Sequence, residues 1–288
     1  MAESKRPSAA AKKRVAVVVR ETACRTILNR CSISDYSLNC YTGCQHACVY
    51  CYARFMQRFH PHPEAWGEFV DVKVNAVEVL KRQLRRAEPG EVFVSSACDG
   101  WQPIEAECRL TRRCCELLLD FGFQVNVLTK SALVLRDLDV FAGRRARIGT
   151  TVTTLEERLR TLWEPGGSSV GERFRIVDEA RRAGLETAIM FGPLLPFLSD
   201  GPASIAAMLE RAGDLGIGTI WVDALNPRPR VWPAVAQLLN RRFPELRDRY
   251  RRVLFDGQAR AAYLEGLRAR VARAADRLAL ADRVSGCF

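Results

Sequence analysis

Three cysteines lie within one short stretch of the chain and form the pattern C-x3-C-x2-C. They are Cys44, Cys48 and Cys51. Thiolates are the usual ligands of iron–sulfur clusters, and a cubane [4Fe–4S] cluster has four irons to bind. A loop with three thiolates can bind only three of those irons. The spacing therefore predicts a [4Fe–4S] cluster whose fourth iron is open to another ligand.

An open iron suits a cofactor that can chelate it. S-adenosylmethionine (SAM) carries an amino group and a carboxylate that could bind such an iron together. An electron from the cluster would then split the sulfonium of SAM and release a carbon radical. If the three cysteines hold a cubane, the sequence predicts radical chemistry.

Two other interpretations of these cysteines stay open on spacing alone. The thiols could form a closed tetrahedral zinc site together with Cys40 or His46. Zinc ribbons usually pair two cysteine knuckles a dozen or more residues apart, and no second knuckle follows here. The thiols could also be buried core residues. Against this, the neighbouring residues are not typical of a core strand: Gly43, Gln45, His46, Tyr50 and Tyr52.

A longer pattern surrounds the three cysteines. The run YSLN at residues 36–39 and the run YTGCQHACVYCYAR at residues 41–54 resemble the radical SAM superfamily. Within it they resemble the branch of spore photoproduct lyase and the DNA repair photolyase-like proteins. The resemblance extends from about residue 30 to about residue 240. It implies that Cys44, Cys48 and Cys51 hold a [4Fe–4S] cluster and that SAM is the second cofactor.

The composition limits the size of the domain and indicates the cellular compartment of the protein. A chain of 288 residues with 48% hydrophobic residues can form one large domain with a small appendage. Eleven cysteines could indicate a disulfide scaffold, but the odd count and the length favour a reducing compartment. No secretory signal and no membrane-spanning apolar run is found in the sequence. We expect a cytoplasmic protein.

The net charge of +11 is placed mainly at the two ends of the chain. Residues 1–14 carry five cations and one acid, and residues 241–288 carry twelve arginines and six acids. We predict a disordered basic tail over 1–14, a catalytic domain over 15–240, and an Arg-rich helical extension over 241–288 that packs on it. The basic ends suggest a nucleic-acid partner, or simply a solubilising tail and a solvated helix.

The middle of the chain alternates between predicted strands and predicted helices. Apolar, partly β-branched runs predict strands at 91–97, 124–130, 147–153, 186–191 and 218–223, with a half-buried strand at 69–74 and a short one at 15–19. Helices are predicted near 76–87, 110–121, 133–142, 170–183, 202–214 and 231–240. Such alternation indicates a parallel sheet covered by helices. Counting a strand before the cysteines gives about six units, too few for a closed barrel. The resemblance implies a partial (β/α)6 TIM-type barrel.

Polar residues follow several of the predicted strands. In parallel α/β barrels the carboxyl ends of the strands carry the chemistry. A zwitterionic cofactor needs a cation for its carboxylate and an acceptor for its amine. Lys130 could supply the cation and Asp99 the acceptor, although each could equally be a capping or surface residue.

The resemblance assigns further cofactor contacts. It places Lys130 at the SAM carboxylate, Thr151 near SAM, and Tyr52 near the adenine, with Tyr50 as a second aromatic position of the family. Residues 163–169 resemble a flexible E-P-G loop of the family, followed by Arg173 as a contact to SAM or substrate.

The resemblance also points to a hydrogen-atom donor. Cys98 falls where spore photoproduct lyase keeps the cysteine that donates a hydrogen atom to the product radical. A thiol suits this role because its S–H bond is weaker than the C–H bond that forms. Residues 99–103 depart from the hydroxyl-rich run of that enzyme, which leaves the lesion substrate in doubt. A small buried thiol is the alternative interpretation of Cys98.

These observations predict a radical SAM enzyme. It would cleave SAM reductively to a 5′-deoxyadenosyl radical, which takes a hydrogen atom from a substrate such as a damaged or modified nucleic acid. A reductant such as flavodoxin or ferredoxin would supply the electron. The alternative from another class is a non-catalytic, zinc-bearing nucleic-acid-binding protein.

Overall fold

The computed structural model describes residues 16–288. Its main feature is an eight-stranded sheet in which seven strands are parallel and one edge strand is antiparallel. In spatial order the strands are β11 (Val284–Gly286), β10 (Thr219–Ala224), β9 (Glu186–Leu194), β8 (Ala146–Val152), β7 (Gln124–Thr129), β6 (Glu91–Val94), β3 (Tyr36–Leu38) and β2 (Leu28–Arg30). The sheet does not close on itself in the described residues. It is the predicted partial barrel, with six central strands from β3 to β10.

Helices connect successive parallel strands of this sheet. They are α1 (Ala76–Leu84), α2 (Glu105–Cys108), α3 (Leu110–Asp120), α4 (Leu138–Phe141), α5 (Glu157–Trp163), α6 (Val170–Arg182), α7 (Pro202–Asp214), α8 (Val231–Arg242), α9 (Arg247–Phe255) and α10 (Gly257–Arg277). Three 3-10 helices lie at Tyr52–Arg58, Ala132–Asp137 and Pro244–Leu246. The helix predicted over 133–142 is therefore mostly 3-10. Within residues 16–288 no helix is long and apolar enough to cross a bilayer.

A second, three-stranded sheet flanks the beginning of the barrel. It is formed by β1 (Val18–Thr22), β5 (Phe69–Lys73) and β4 (Tyr41–Thr42), with β5 in the centre. The prediction of a half-buried strand at 69–74 was wrong in one respect, since four of the five residues of β5 are buried. Because successive side chains of a strand point to opposite faces, the burial of consecutive residues means that β5 is covered on both faces. The predicted strand at 15–19 begins later, at Val18, and the predicted disordered tail over 1–14 lies outside the described residues.

The C-terminal segment differs from the purely helical prediction. After α10 the chain forms β11, which pairs in parallel with β10 in the register Ile220–Val284 to Val222–Gly286. β11 extends the sheet on its open side by one strand. The helix before it, α10, packs against α7, so the extension covers the outer face of the barrel.

Apolar side chains on α10 form this contact. Leu267 has no exposed surface and lies in one cluster with Met208 of α7 and Val271 of α10. A leucine that loses its side chain in such a cluster leaves a cavity that the surrounding residues fill only in part.

We expect Leu267→Ala to lower the free energy of unfolding by about 2–5 kcal/mol, because it creates a cavity between α7 and α10. Urea denaturation of the purified protein measures this change. Arg273→Ala on the exposed side of α10 is the matched control, with an expected change within about 0.5 kcal/mol. Equal stability of the two variants would contradict the packing.

Candidate functional site

The three cysteines lie in an irregular loop, residues 43–51, between β4 and the first 3-10 helix. Gly43 opens the loop with a φ of +85°, and a Cβ at this position would lie 2.5 Å from the carbonyl oxygen of Phe69. Only glycine fits there without strain. The loop then turns twice, since Ala47 donates to the carbonyl of Cys44 and Cys51 to that of Cys48. Because of these two turns, the segment that carries the three thiols is compact.

Burial determines the acidity of these thiols. It raises the pKa of Cys44 well above its ordinary value, with a further contribution from the nearby carboxylate of Asp99. It raises the pKa of Cys48 to about 12, and it also raises the pKa of Cys51. Buried thiols ionise readily only when a metal offsets the lost solvation. The three donors therefore fit a metal cluster better than a set of free thiolates.

The donor set fits a cubane in a second respect. Among residues 16–288 no three His, Cys, Asp or Glu side chains converge closely enough to hold one ion. In a cubane each thiolate binds a different iron, so its ligands need not meet at a point. Cys44, Cys48 and Cys51 would hold such a cluster.

The loop after β6 holds one side of the cysteine loop. The amide of Gln102 accepts a hydrogen bond from the backbone N–H of Gln45 (2.9 Å) and donates one to the carbonyl of Gly43 (3.3 Å). In return the Gln45 side chain accepts from the N–H of Ile104 (2.7 Å). Gln102 is fully buried. The sequence analysis included this residue only in the run 99–103 and missed its role, because a glutamine three residues before a helix gives no local signal of a distant loop.

The end of α5 and the loop that follows it hold the other side. The N–H of Val49 donates to the carbonyl of Trp163 (2.9 Å), and that of Gly166 to the carbonyl of His46 (3.0 Å). A Cβ at Gly166 would lie 2.4 Å from the carbonyl oxygen of Gln45. Residues 163–169, which the sequence predicts to be a flexible loop, are tied to the cysteine loop by these backbone contacts.

Asp99 is surrounded by donors from the protein. Its carboxylate accepts from the hydroxyl of Thr129 (2.6 Å) and from the backbone N–H of Lys130 (2.7 Å). The ring nitrogen Nδ1 of His46 lies 3.3 Å away. Burial alone would raise the pKa of Asp99, but His46 and these donors overcome it and hold the pKa well below its ordinary value. Asp99 thus fastens the end of β7 to the cysteine loop, and its contact with the SAM amine stays a prediction.

Lys130 lies between the cysteines and the aromatic residues of the site. Its ammonium is 5.8 Å from the centre of the Tyr50 ring. Its charge opposes the effect of burial on the pKa of Cys48 and of Cys51. In addition, its backbone carbonyl accepts a hydrogen bond from Ser168 (2.9 Å). Lys130 is therefore a cation beside the ligand cysteines, as its predicted role at the SAM carboxylate requires.

Arg173 is buried too deeply to contact a bound molecule directly. Its side chain has no exposed surface and forms an ion pair of 2.6 Å with Glu164, which is equally buried. Arg173 also donates to the backbone carbonyl of Thr151 (2.9 Å). Glu164 accepts from the hydroxyls of Tyr50 and Thr153. This network fixes the backbone at the end of β8 and the Tyr50 ring, so Arg173 can act on a cofactor only through its neighbours.

The carboxyl ends of the strands form an open mouth on this side of the barrel. Tyr52 is half exposed there and donates to the carbonyl of Ser96. Burial raises the pKa of Tyr52 to about 12, and the charges of Cys51, Cys98 and Asp223 contribute to the shift. The phenol of Tyr52 therefore lies within electrostatic reach of all three.

Cys98 follows β6 and is 7% exposed. Its sulfur lies 3.8 Å from the side-chain oxygen of Asn39.

Across the mouth, Asp223 lies next to Val222 on β10, and burial raises the pKa of Asp223 to about 6. Cys287, at the end of β11, is an exposed free thiol whose N–H donates to the carbonyl of Val222 (2.8 Å). Sequence analysis did not single out Asp223 for a role, because its burial depends on the helical extension.

Comparison with known proteins identifies the class. The family model of the radical SAM superfamily matches residues 38–211. The chain therefore belongs to the radical SAM superfamily, and it is a radical SAM enzyme. Its cofactors are a [4Fe–4S] cluster and SAM.

Individual relatives extend this finding. An uncharacterised protein of Methanocaldococcus jannaschii is 34% identical over 168 residues, which cover 58% of this chain and 63% of that protein. The chain thus spans less than two thirds of that relative. An uncharacterised protein of Mycobacterium tuberculosis is 29% identical over 271 residues, covering 89% of this chain and 79% of the relative.

Among solved structures, a spore photoproduct lyase variant with bound AdoMet and dinucleoside spore photoproduct is similar with a TM-score of 0.68. The match covers 94% of this chain and 82% of that one at 15% identity. At this identity the likeness shows the fold.

We expect Arg173→Met to lower the free energy of unfolding by about 3–5 kcal/mol, because it leaves the charge of Glu164 buried and unpaired. The double variant Glu164→Gln with Arg173→Met removes both charges and should recover most of the loss. Urea denaturation measures both. Arg182→Met breaks an exposed pair with Asp178 and should cost less than about 1 kcal/mol. An equally small loss in Arg173→Met would refute the role of the buried pair.

The shifted pKa of Asp223 predicts that the stability of the fold depends on pH. Its pKa of about 6 in the folded protein lies above its ordinary value of 3.8, so ionisation of Asp223 destabilises the fold. The stability that this group contributes is present below pH 4 and is lost as the pH rises through 6.

We therefore expect the gain in unfolding free energy of Asp223→Asn over wild type to grow from pH 4 to pH 7. Urea denaturation at a series of pH values tests this. The exposed Asp214→Asn variant corrects for the loss of one charge. A difference that stays constant across this pH range would contradict the expected shift.

Proposed function

We propose that this radical SAM enzyme carries out a reaction of the spore photoproduct lyase type on a damaged or modified nucleic acid, and that Cys98 donates a hydrogen atom to the product radical. The observation that carries the proposal is the placement of the Cys98 thiol. It lies four residues after the end of β6 and two residues after Ser96, whose carbonyl accepts a hydrogen bond from Tyr52, the residue that follows Cys51.

The cofactors, when bound, supply a carbon radical that takes a hydrogen atom from the substrate. In the proposal Cys44, Cys48 and Cys51 hold the cluster. The ammonium of Lys130 neutralises the carboxylate of SAM. Around them, Thr151, Tyr50, Tyr52 and Asp99 shape the SAM pocket, and Arg173 fixes its floor through Glu164 and Thr151.

Cys98 has the protonation state that a hydrogen-atom donor needs. Burial raises its pKa to about 12, and the opposing charge of Lys73 is the weaker influence. The group is therefore a neutral thiol at physiological pH and keeps the hydrogen that it must give away. Transfer of this hydrogen atom forms a C–H bond on the product and leaves a thiyl radical, which must take up one electron from a reductant and one proton from solvent to become a thiol again. Radical SAM enzymes need an external reductant, and we propose flavodoxin or ferredoxin.

The altered sequence after Cys98 does not weaken the proposal. Trp101 and Gln102 are fully buried. Trp101 donates to Asp137 (2.9 Å) and Gln102 holds the cysteine loop. Trp101 and Gln102 thus serve the scaffold, so their difference from the lyase does not alter the surface that would face a substrate.

Two features support a nucleic-acid substrate. The chain carries a net charge of +11, and cations that replace phosphate counterions favour nucleic-acid binding. The structurally similar lyase is described with a dinucleoside photoproduct bound. Both the nucleic-acid substrate and the cytoplasmic location predicted from the sequence stay predictions.

The test uses the anaerobically reconstituted enzyme with SAM and dithionite. Release of 5′-deoxyadenosine is measured against ultraviolet-irradiated DNA, modified RNA and peptide pools, and the responding substrate is then converted in D2O. Because the thiol hydrogen exchanges with solvent, we expect deuterium in the wild-type product. Cys98→Ala should release 5′-deoxyadenosine but lose most of that deuterium.

The half-buried Cys31, which follows β2, provides the matched control. Cys31→Ala should leave deuterium incorporation unchanged. Equal deuterium incorporation by Cys98→Ala and wild type would exclude Cys98 as the donor. A response to peptides alone would exclude the nucleic-acid substrate.

A further inference from the structure

Arg54 contacts the cysteine loop from the first 3-10 helix, three residues after Cys51. Its guanidinium donates from Nη2 to the backbone carbonyl of Cys48 (3.2 Å). Its Nε is buried and has no hydrogen-bond partner among residues 16–288. The side chain as a whole is half-buried. Arg54 therefore has a donor turned away from water and is fastened to a residue that holds the cluster.

Among residues 16–288 no carboxylate forms an ion pair with Arg54. Cys51 and Cys48 are the ionisable groups whose charges act on it. By contrast, Arg173 has an acidic partner in Glu164, and Arg270 has one in Asp200. A partly buried cation without a carboxylate is costly. The ligand thiolates are the negative charges that would offset this cost.

We infer that Arg54 is the electrostatic partner of the iron–sulfur cluster and that its charge raises the reduction potential of the cluster. Reduction adds one negative charge to the cluster and its thiolates. A cation beside the ligands stabilises that charge, and net charge near a cluster is one of the factors that set its potential. The inference concerns electron uptake alone, so it does not depend on the identity of the substrate.

Arg54 differs in this respect from the other cation of the site. Lys130 is the predicted partner of the SAM carboxylate, and a bound carboxylate would neutralise much of its charge. The guanidinium of Arg54 is fixed to the carbonyl of Cys48 on the protein side. Its charge therefore acts on the thiolates both with and without cofactor.

The test is a potentiometric titration of the anaerobically reconstituted protein, without SAM or substrate, followed by electron paramagnetic resonance. Arg54→Gln keeps a similar size and removes the charge. We expect its reduction equilibrium to shift about tenfold toward the oxidised cluster, which corresponds to about 59 mV for one electron. Arg54→Lys keeps the charge and should restore most of the potential.

Arg58→Gln is the matched control, because Arg58 lies at the exposed end of the same 3-10 helix. Its potential should equal that of the wild type. Iron and sulfide content is measured for each variant. An unchanged potential in a fully loaded Arg54→Gln protein overturns the inference. Loss of the cluster in Arg54→Gln and Arg54→Lys alike also overturns it, because that pattern indicates a role in loop folding instead of charge.

Discussion

The site depends on an irregular backbone segment being held still from both sides. Residues 43–51 belong to neither a helix nor a strand, so their polar groups must find partners elsewhere. Gln102 supplies partners from one neighbouring loop, and the backbone of Trp163 and Gly166 supplies them from another. These loops follow different strands of the barrel. The position of the thiols is therefore set by the sheet, although none of the three lies on it.

The acidic side chains of the site are neutralised by nearby donors or cations, whereas two cations act on the cysteines. Two buried carboxylates, Asp99 and Glu164, lie on opposite sides of the cysteine loop, and each has donors or a cation at hand. Both keep a pKa below the ordinary value in spite of burial. The cations that remain, Lys130 and Arg54, act on the cysteine sulfurs. The protein thus neutralises its own acids and leaves positive charge for the cluster.

The sequence predicted the barrel well, because each unit has a local signal. α7 runs from Pro202 to Asp214, the span that the apolar spacing predicts, and β7 and β10 agree to within a residue or so. The run around the cysteines, residues 36–54, indicated the class of enzyme for the same reason, since its residues are close together in the chain.

Other features have no local signal. The burial of β5 depends on the hydrophobic core in which Phe69, Val70 and Val72 cluster, and β11 forms where β10 offers an edge. Arg173 resembles a surface arginine in sequence, yet Glu164 nine positions earlier takes it into the interior. The contacts of Asp99, Gln102 and Asp223 likewise depend on partners far away in the chain. The burial and the contacts of such residues are determined by the tertiary structure.

The parallel pairing of β11 with β10 determines where the chain leaves the fold. Both strands run toward the mouth, so Cys287 is delivered next to Asp223 at the entrance of the barrel. Any peptide fused after Phe288 would emerge at the rim through which a large substrate has to pass.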